Sequence, residues 1–441
     1  MAVEPQDIRL LANYSFRRLL ESRAVGQIAQ NALLYTLLIL VVKETDSSIQ
    51  ITFLVVAWSL PAIVFGIPAG ALAEVLPRRP LLVVGYLLRA AAVAAMLYYR
   101  HDLWRLYVLL AGFSSVGQLT GPAESAALPG MVRPGQVTAA NSFFVFSVML
   151  GQIAGAVVLA PIVLKTTSEE VVLVTAAALF LLAAFLVAGV RGLQRPLDPA
   201  LRRPPAPGLG QAIAQGWRVL RTSRPAYMAA VYLTISGTLI KSLAVLAPHY
   251  TRDVLSIAAE NTVYVVAPAA IGAVVALLAT PLFARFLGAS RTAAIGFLFL
   301  LIGLGALGLV VYVRDFLQEN VDLGLSFVEK EVGVSSVITV AMIIAIPVGF
   351  ASTVVGVAGR ATLNQEAPEG TQARVFATQT ALSDAIALVP LFIIGGVADL
   401  VGVRATLLAS AVAGLLAALY LGFSRRFGPP AQPSERPTDS G

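Results

Sequence analysis

Cysteine is missing from all 441 residues, so disulfides, thiolate metal sites and cysteine nucleophiles are excluded. Imidazole is nearly missing too. His101 and His249 are the two histidines, they stand far apart, and neither has an acidic cluster beside it, which argues against a metal site. Charge is scarce, at 12% of residues against 58% hydrophobic ones. The mean hydropathy of +0.82 lies far outside the range of soluble globular chains. No phosphate-cradling glycine loop, nucleophile elbow or metalloprotease helix pair occurs, so the chain is not expected to be an enzyme or to hold a cofactor. Behind Arg17 and Arg18 comes a long apolar stretch with no small-residue cleavage site, and that stretch is expected to act as its own insertion signal.

What the chain has in abundance is long apolar runs. Each is near the roughly 20 residues needed to cross a hydrocarbon core of about 30 Å. We read twelve spans, at about 17–42, 49–74, 80–99, 104–126, 137–164, 170–190, 226–250, 262–286, 291–313, 336–362, 371–397 and 403–423. The expected fold is therefore an all-α membrane protein of two six-helix bundles, 1–191 and 226–423. A linker at 192–225 joins them and a disordered tail follows at 424–441.

The net charge of +7 does not point to nucleic acid, because the arginines gather in short loops between spans. From Arg191 to Arg224 there are seven arginines against one acid, Asp198, which places this linker in the cytoplasm by the positive-inside rule. Within it, Gln211 to Leu220 spaces Ile213, Trp217 and Leu220 on one face and reads as a short helix, either lying on the membrane or solvated. Counting spans outward from the linker puts both termini inside, together with Arg78, Arg79, Arg285 and Arg291. The longest outer loop, 314–335, is acidic, with Asp315, Glu319, Asp322, Glu329 and Glu331.

The two halves look like copies of one unit. Proline-containing turns at Met131 to Gly135 and at Glu366 to Gly370 occupy equivalent places, and the acidic outer loop behaves as an insertion in the second copy.

At this point the sequence resembles the major facilitator superfamily, in particular its macrolide-efflux-like branch of drug and proton antiporters. The resemblance covers nearly the whole chain. It is carried most specifically by the stretch from Gly359 to Phe376 followed by Gly395 to Arg404, and in the first half by Gly121 to Pro129 and Ala139 to Asn141. Between the second and third spans, Gly70, Glu74, Arg78 and Arg79 are similar to the G-x-x-x-D-x-x-G-R-R loop of that family, with Glu74 for aspartate and Pro77 for glycine. In such a loop the acid caps a neighbouring helix and the arginines bridge the halves at the cytoplasmic gate, or the arginines only fix topology. On the fifth span Gly151, Gln152 and Gly155 match the antiporter G-P-x-x-G pattern, with Gln152 for proline. Phe113 stands near where that branch carries an arginine.

A charge at the bilayer centre costs about 2.5–3.5 kcal/mol even on lenient scales, so polar residues inside spans are functional candidates. Gln27, Gln30 and Asn31 share a face of the first span. Thr234, Thr238, Lys241 and Ser242 do so on the seventh, and Gln379, Thr380, Ser383 and Asp384 on the eleventh. Lys241 and Asp384 lie at similar depth, roughly 22 Å and 20 Å along their helices. If the fold sets those helices side by side, as the resemblance implies, the two form an ion pair that either couples protonation to movement or is a permanent structural pair. Asn31 takes the place of Lys241 in the first half.

Arg89 is expected to face Glu74 or a backbone carbonyl, and Glu21 with Arg23, and Glu124, to act at a gate or to fix topology. The resemblance implies a monomeric secondary exporter of small amphiphilic molecules in the cell membrane, with the proton as coupling ion. Its cavity would be lined by Tyr35, Gln118, Thr120 and Thr353 beside the residues above. The alternatives are a lysophospholipid or siderophore carrier and a non-transporting membrane sensor or assembly factor.

Overall fold

The computed structural model describes residues 10, 12–45, 47–133, 136–190, 223–320, 334–366 and 372–423. The helix expected at 211–220, most of the linker, most of the acidic loop and the tail lie outside these residues. All regular structure among the described residues is helical. That is what lipid demands of a chain that must satisfy each backbone N–H and C=O internally.

In the first half these are α1 (Tyr14–Thr45), α2 (Ser48–Val75), α3 (Arg78–Tyr98), α4 (Leu103–Ala127), α5 and α6 (Glu169–Ala188). The fifth is composite, running through Val137–Ile153, a π-helical stretch Ala154–Leu159, and Ala160–Thr166. In the second half come α7 (Arg224–His249, passing into a π turn at Tyr250–Val254), α8 (Val263–Leu287) and α9 (Ala289–Gly308, extended by Val310–Asn320). They are followed by α10 (Ser336–Glu366), α11 (Gln372–Val401) and α12 (Val403–Phe423). Among the described residues, eleven helices are long and apolar enough to cross a membrane. The exception is α4, which includes Ser114, Ser115, Gln118, Thr120 and Glu124.

Proline falls inside α2, α4, α7, α8, α10 and α11 without ending them, as membrane neighbours permit. Among the described residues, packing forms two large cores and a small cluster of Ala226, Ala229, Leu363 and Val375. One gathers Phe16, Tyr86, Phe113 and Phe180 of the first half, joined by Val245, Ala387 and Leu391 from the second. The other gathers Tyr250, Phe297, Leu304 and Val355. Gly272 and Gly349 bring α8 and α10 into backbone contact, since a Cβ on Gly272 would stand 2.9 Å from the Phe350 nitrogen. The perimeter carries Leu278, Phe286, Leu400 and Phe423 fully in the open, a distribution suited to lipid and costly in water.

Candidate functional site

Helices α7 and α11 run side by side, and their polar stripes meet. Lys241 Nζ lies 2.6 Å from Asp384 Oδ1, with both side chains about a quarter exposed. On the same two helices, the Thr234 and Ser383 hydroxyls are 2.6 Å apart, and Gln379 Nε2 donates to Ser383 Oγ at 2.7 Å. Thr238 and Ser242 donate back to the carbonyls of Thr234 and Thr238, the usual way a hydroxyl is satisfied inside an apolar helix. Thr380 faces outward. The result is a short-range ion pair flanked by hydroxyls and one amide inside otherwise hydrocarbon walls.

The first half carries no ion pair at the matching place. Asn31 donates to the Gln27 carbonyl at 2.8 Å, Gln27 is buried and Gln30 half-buried. Glycines press α5 against this stripe, for a Cβ on Gly151 would stand 2.5 Å from Gln27 Cβ, and one on Gly155 3.0 Å from Asn31 Cβ. Gln152 is exposed. Tyr35 is buried one turn beyond Asn31, and Gln118 and Thr353 are half-buried on α4 and α10. Thr120 packs its methyl against Gly85 on α3, which uses it as filler between helices.

Arg79 donates to the Ala188 carbonyl of α6, within its own half. Arg78 is half-buried, and the side-chain surroundings of Gly70 and Glu74 lie outside the described residues. Arg89 is buried with its guanidinium 4.6 Å above the Phe113 ring and 5.7 Å from that of Phe180, a cation on π faces. Arg23 pairs with Glu124 of α4, which also accepts from the Tyr86 hydroxyl, while Glu21 pairs with Arg17 at 3.5 Å. Glu124 is thus an interior anchor, with 1% of its surface exposed.

The hydrogen bonds found between the halves gather at the end opposite Arg78 and Arg79. The N-terminus of α2 meets the C-terminal end of α11, where Asp399 accepts from the Ser47 hydroxyl at 2.8 Å and from the backbone N–H groups of Ser48 and Ile49 at 2.8 and 3.4 Å. Thr52 donates to the Leu391 carbonyl at 3.3 Å, and Phe53 meets Phe392 edge-on at 5.3 Å. Gly395 makes the approach possible, because a Cβ there would stand 3.1 Å from the Ser48 carbonyl oxygen. Ser48 also meets His249 of α7, 3.4 Å from Nδ1. Asp399 was within the family-like stretch of sequence but carried no assigned role. An acid ending one helix has meaning only once another helix start is known to lie against it.

A superposition on solved structures covers 93% of this chain with the whole of the nucleoside transporter NupG at a TM-score of 0.71 and 11% identity. A bacterial homologue of the iron transporter ferroportin matches 93% of this chain in both its states at 15% identity. Its inward-facing structure, 98% covered, scores 0.64, and its outward-facing one, 100% covered, scores 0.53. No curated protein matches. The model of the Major Facilitator Superfamily matches residues 24–346, most of the chain, in agreement with the all-helical fold. The chain is therefore a member of the major facilitator superfamily, a multi-pass membrane transporter.

Proposed function

We propose that the chain exports small amphiphilic molecules by alternating access in exchange for protons, within the macrolide-efflux-like branch of the superfamily. The observation that carries this reading is the Lys241–Asp384 pair, set among Thr234, Thr238, Gln379 and Ser383 on helices that are otherwise apolar. Intramembrane charges are costly, which makes the pair a functional candidate, and sparse hydroxyls and amides suit a ligand that is mostly hydrocarbon with one polar group. Protonation of Asp384 releases the pair and biases the access equilibrium.

The arginines at Arg78, Arg79, Arg285, Arg291 and along 192–225 assign their end to the cytoplasm, with both termini there and the protein in the cell membrane. In that orientation the closed end, at Asp399, is the outer one. The resting form is then inward-facing, in keeping with the better superposition on the inward-facing ferroportin homologue. Bundles 1–191 and 226–423 rock about the pair as a monomer, with the linker 192–225 and tail 424–441 inside.

The test is flux of a fluorescent amphiphilic cation in proteoliposomes under an imposed pH gradient. Parent protein is expected to move the cation only with the gradient, and Asp384→Asn to abolish that dependence. Gradient-driven flux that survives Asp384→Asn would reduce the pair to helix packing.

A further inference from the structure

Behind the ion pair, a cleft of about 590 Å³ runs between α7, α11 and α12. Its facing walls are Ile386, Pro390 and Ile393 on α11 and the small residues Ala409, Ala413 and Ala417 on α12. Along α11 it extends from Gln379 to Val397, roughly 27 Å of helix at 1.5 Å per residue. A space of that volume drawn out over that length is long and thin. It has the shape of one extended hydrocarbon chain and not of a compact polycyclic molecule.

Its polar groups fall into two sets. Thr406 and Ser410 donate to carbonyls of their own helix, at 2.8 and 2.6 Å. Thr234, Thr238 and Gln379 line the cleft and also belong to the cluster around Lys241 and Asp384, so the apolar cleft and the polar site share a wall. A second cleft of about 520 Å³, lined by Phe283, Phe299 and Phe350 between α8, α9 and α10, has no such connection.

We propose that this cleft holds the hydrocarbon tail of the transported molecule while its polar head sits at Thr234, Gln379 and the Lys241–Asp384 pair, so that the cargo is a single-chain amphiphile. The proposal rests on the transport reading above and narrows its substrate class. A tail in the cleft gains about fourfold in affinity per methylene, the equivalent of about 0.8 kcal/mol.

The experiment uses the full chain in nanodiscs, with empty nanodiscs subtracted, and n-alkyltrimethylammonium ions from octyl to tetradecyl as probes. Tetraphenylphosphonium serves as the compact cation of equal charge. Parent protein is expected to bind the alkyl series more tightly with each added methylene. Ala413→Phe and Ala409→Phe should flatten that gain and leave tetraphenylphosphonium unaffected, whereas Val275→Phe in the other cleft should change neither. Unaltered thermal unfolding certifies the fold, and the smaller Ala417→Leu stands in for a variant that fails it.

A gain per methylene that survives all the filling substitutions would overturn the proposal. So would a phospholipid that copurifies with the parent and is lost from the variants while the gain persists, since the cleft would then belong to the bilayer. In proteoliposomes the two readings separate. Gradient-driven tetraphenylphosphonium flux with a surviving methylene gain leaves transport standing and removes the tail site. A lost methylene gain without flux of any probe does the reverse.

Discussion

Glu124 accepts from Arg23 and from the Tyr86 hydroxyl with almost no water about it. Arg89 lies in the same interior and is compensated by the rings of Phe113 and Phe180. Neutralising the carboxylate would leave the buried Arg89 and the part-buried Arg23 with no anion between them, and breaking a buried pair from one side costs about 3–5 kcal/mol. Glu124→Gln is therefore expected to lower the thermal unfolding midpoint sharply, and the double variant Arg23→Ala with Glu124→Gln to recover part of the loss. Equal midpoints for the single and double variants would show that the charges do not interact. The sequence marked Arg89 and Glu124 as costly intramembrane charges but could not say what satisfies them. An aromatic face is invisible as an acceptor in a string of apolar letters, and Phe180 comes from a helix far along the chain.

The helices themselves were legible, because a run of apolar residues near membrane length has few other solutions. Less legible was how closely any two of them approach. Gly155 and Gly305 look alike in sequence, each set among alanine and leucine in a membrane helix. In the fold, a Cβ on Gly155 would press within 3.0 Å of the Ala32 nitrogen, while one on Gly305 meets nothing within 4 Å. Gly305→Ala should stabilise by up to about 1 kcal/mol from helix propensity alone. Gly155→Ala should destabilise, since α5 must move off α1 to admit one methyl. Thermal unfolding of the two variants side by side checks both signs. The π-helical stretch at Ala154–Leu159 escaped the sequence reading as well, because its residues have the same hydropathy whether they wind as π or α.

The Lys241–Asp384 juxtaposition followed from depth along two helices, provided the superfamily arrangement was assumed. Closure at Asp399 did not, since it joins Ser47 to a residue of the other half. At the scale of the whole molecule this carboxylate is a helix cap supplied across the interface, and caps contribute about 0.5–2 kcal/mol. Removing its charge should shift the ratio of closed to open forms at that end by roughly twofold to thirtyfold. The absence of native cysteine makes the measurement direct. Spin labels on Tyr98→Cys and Tyr312→Cys, at the same end of α3 and α9, should show a longer separation gaining population in Asp399→Asn and no change in Asp253→Asn. Identical distance distributions would remove the cap from the switching equilibrium.

On the proposed exchange of cargo for protons, each cycle completed without cargo would drain the gradient for nothing. The carboxylate that accepts from the Ser47 hydroxyl and the Ser48 and Ile49 N–H groups would then work as a seal against idle turnover. Its strength would set how much binding energy a passenger must bring before that end opens, and so how much current would leak when no passenger is present.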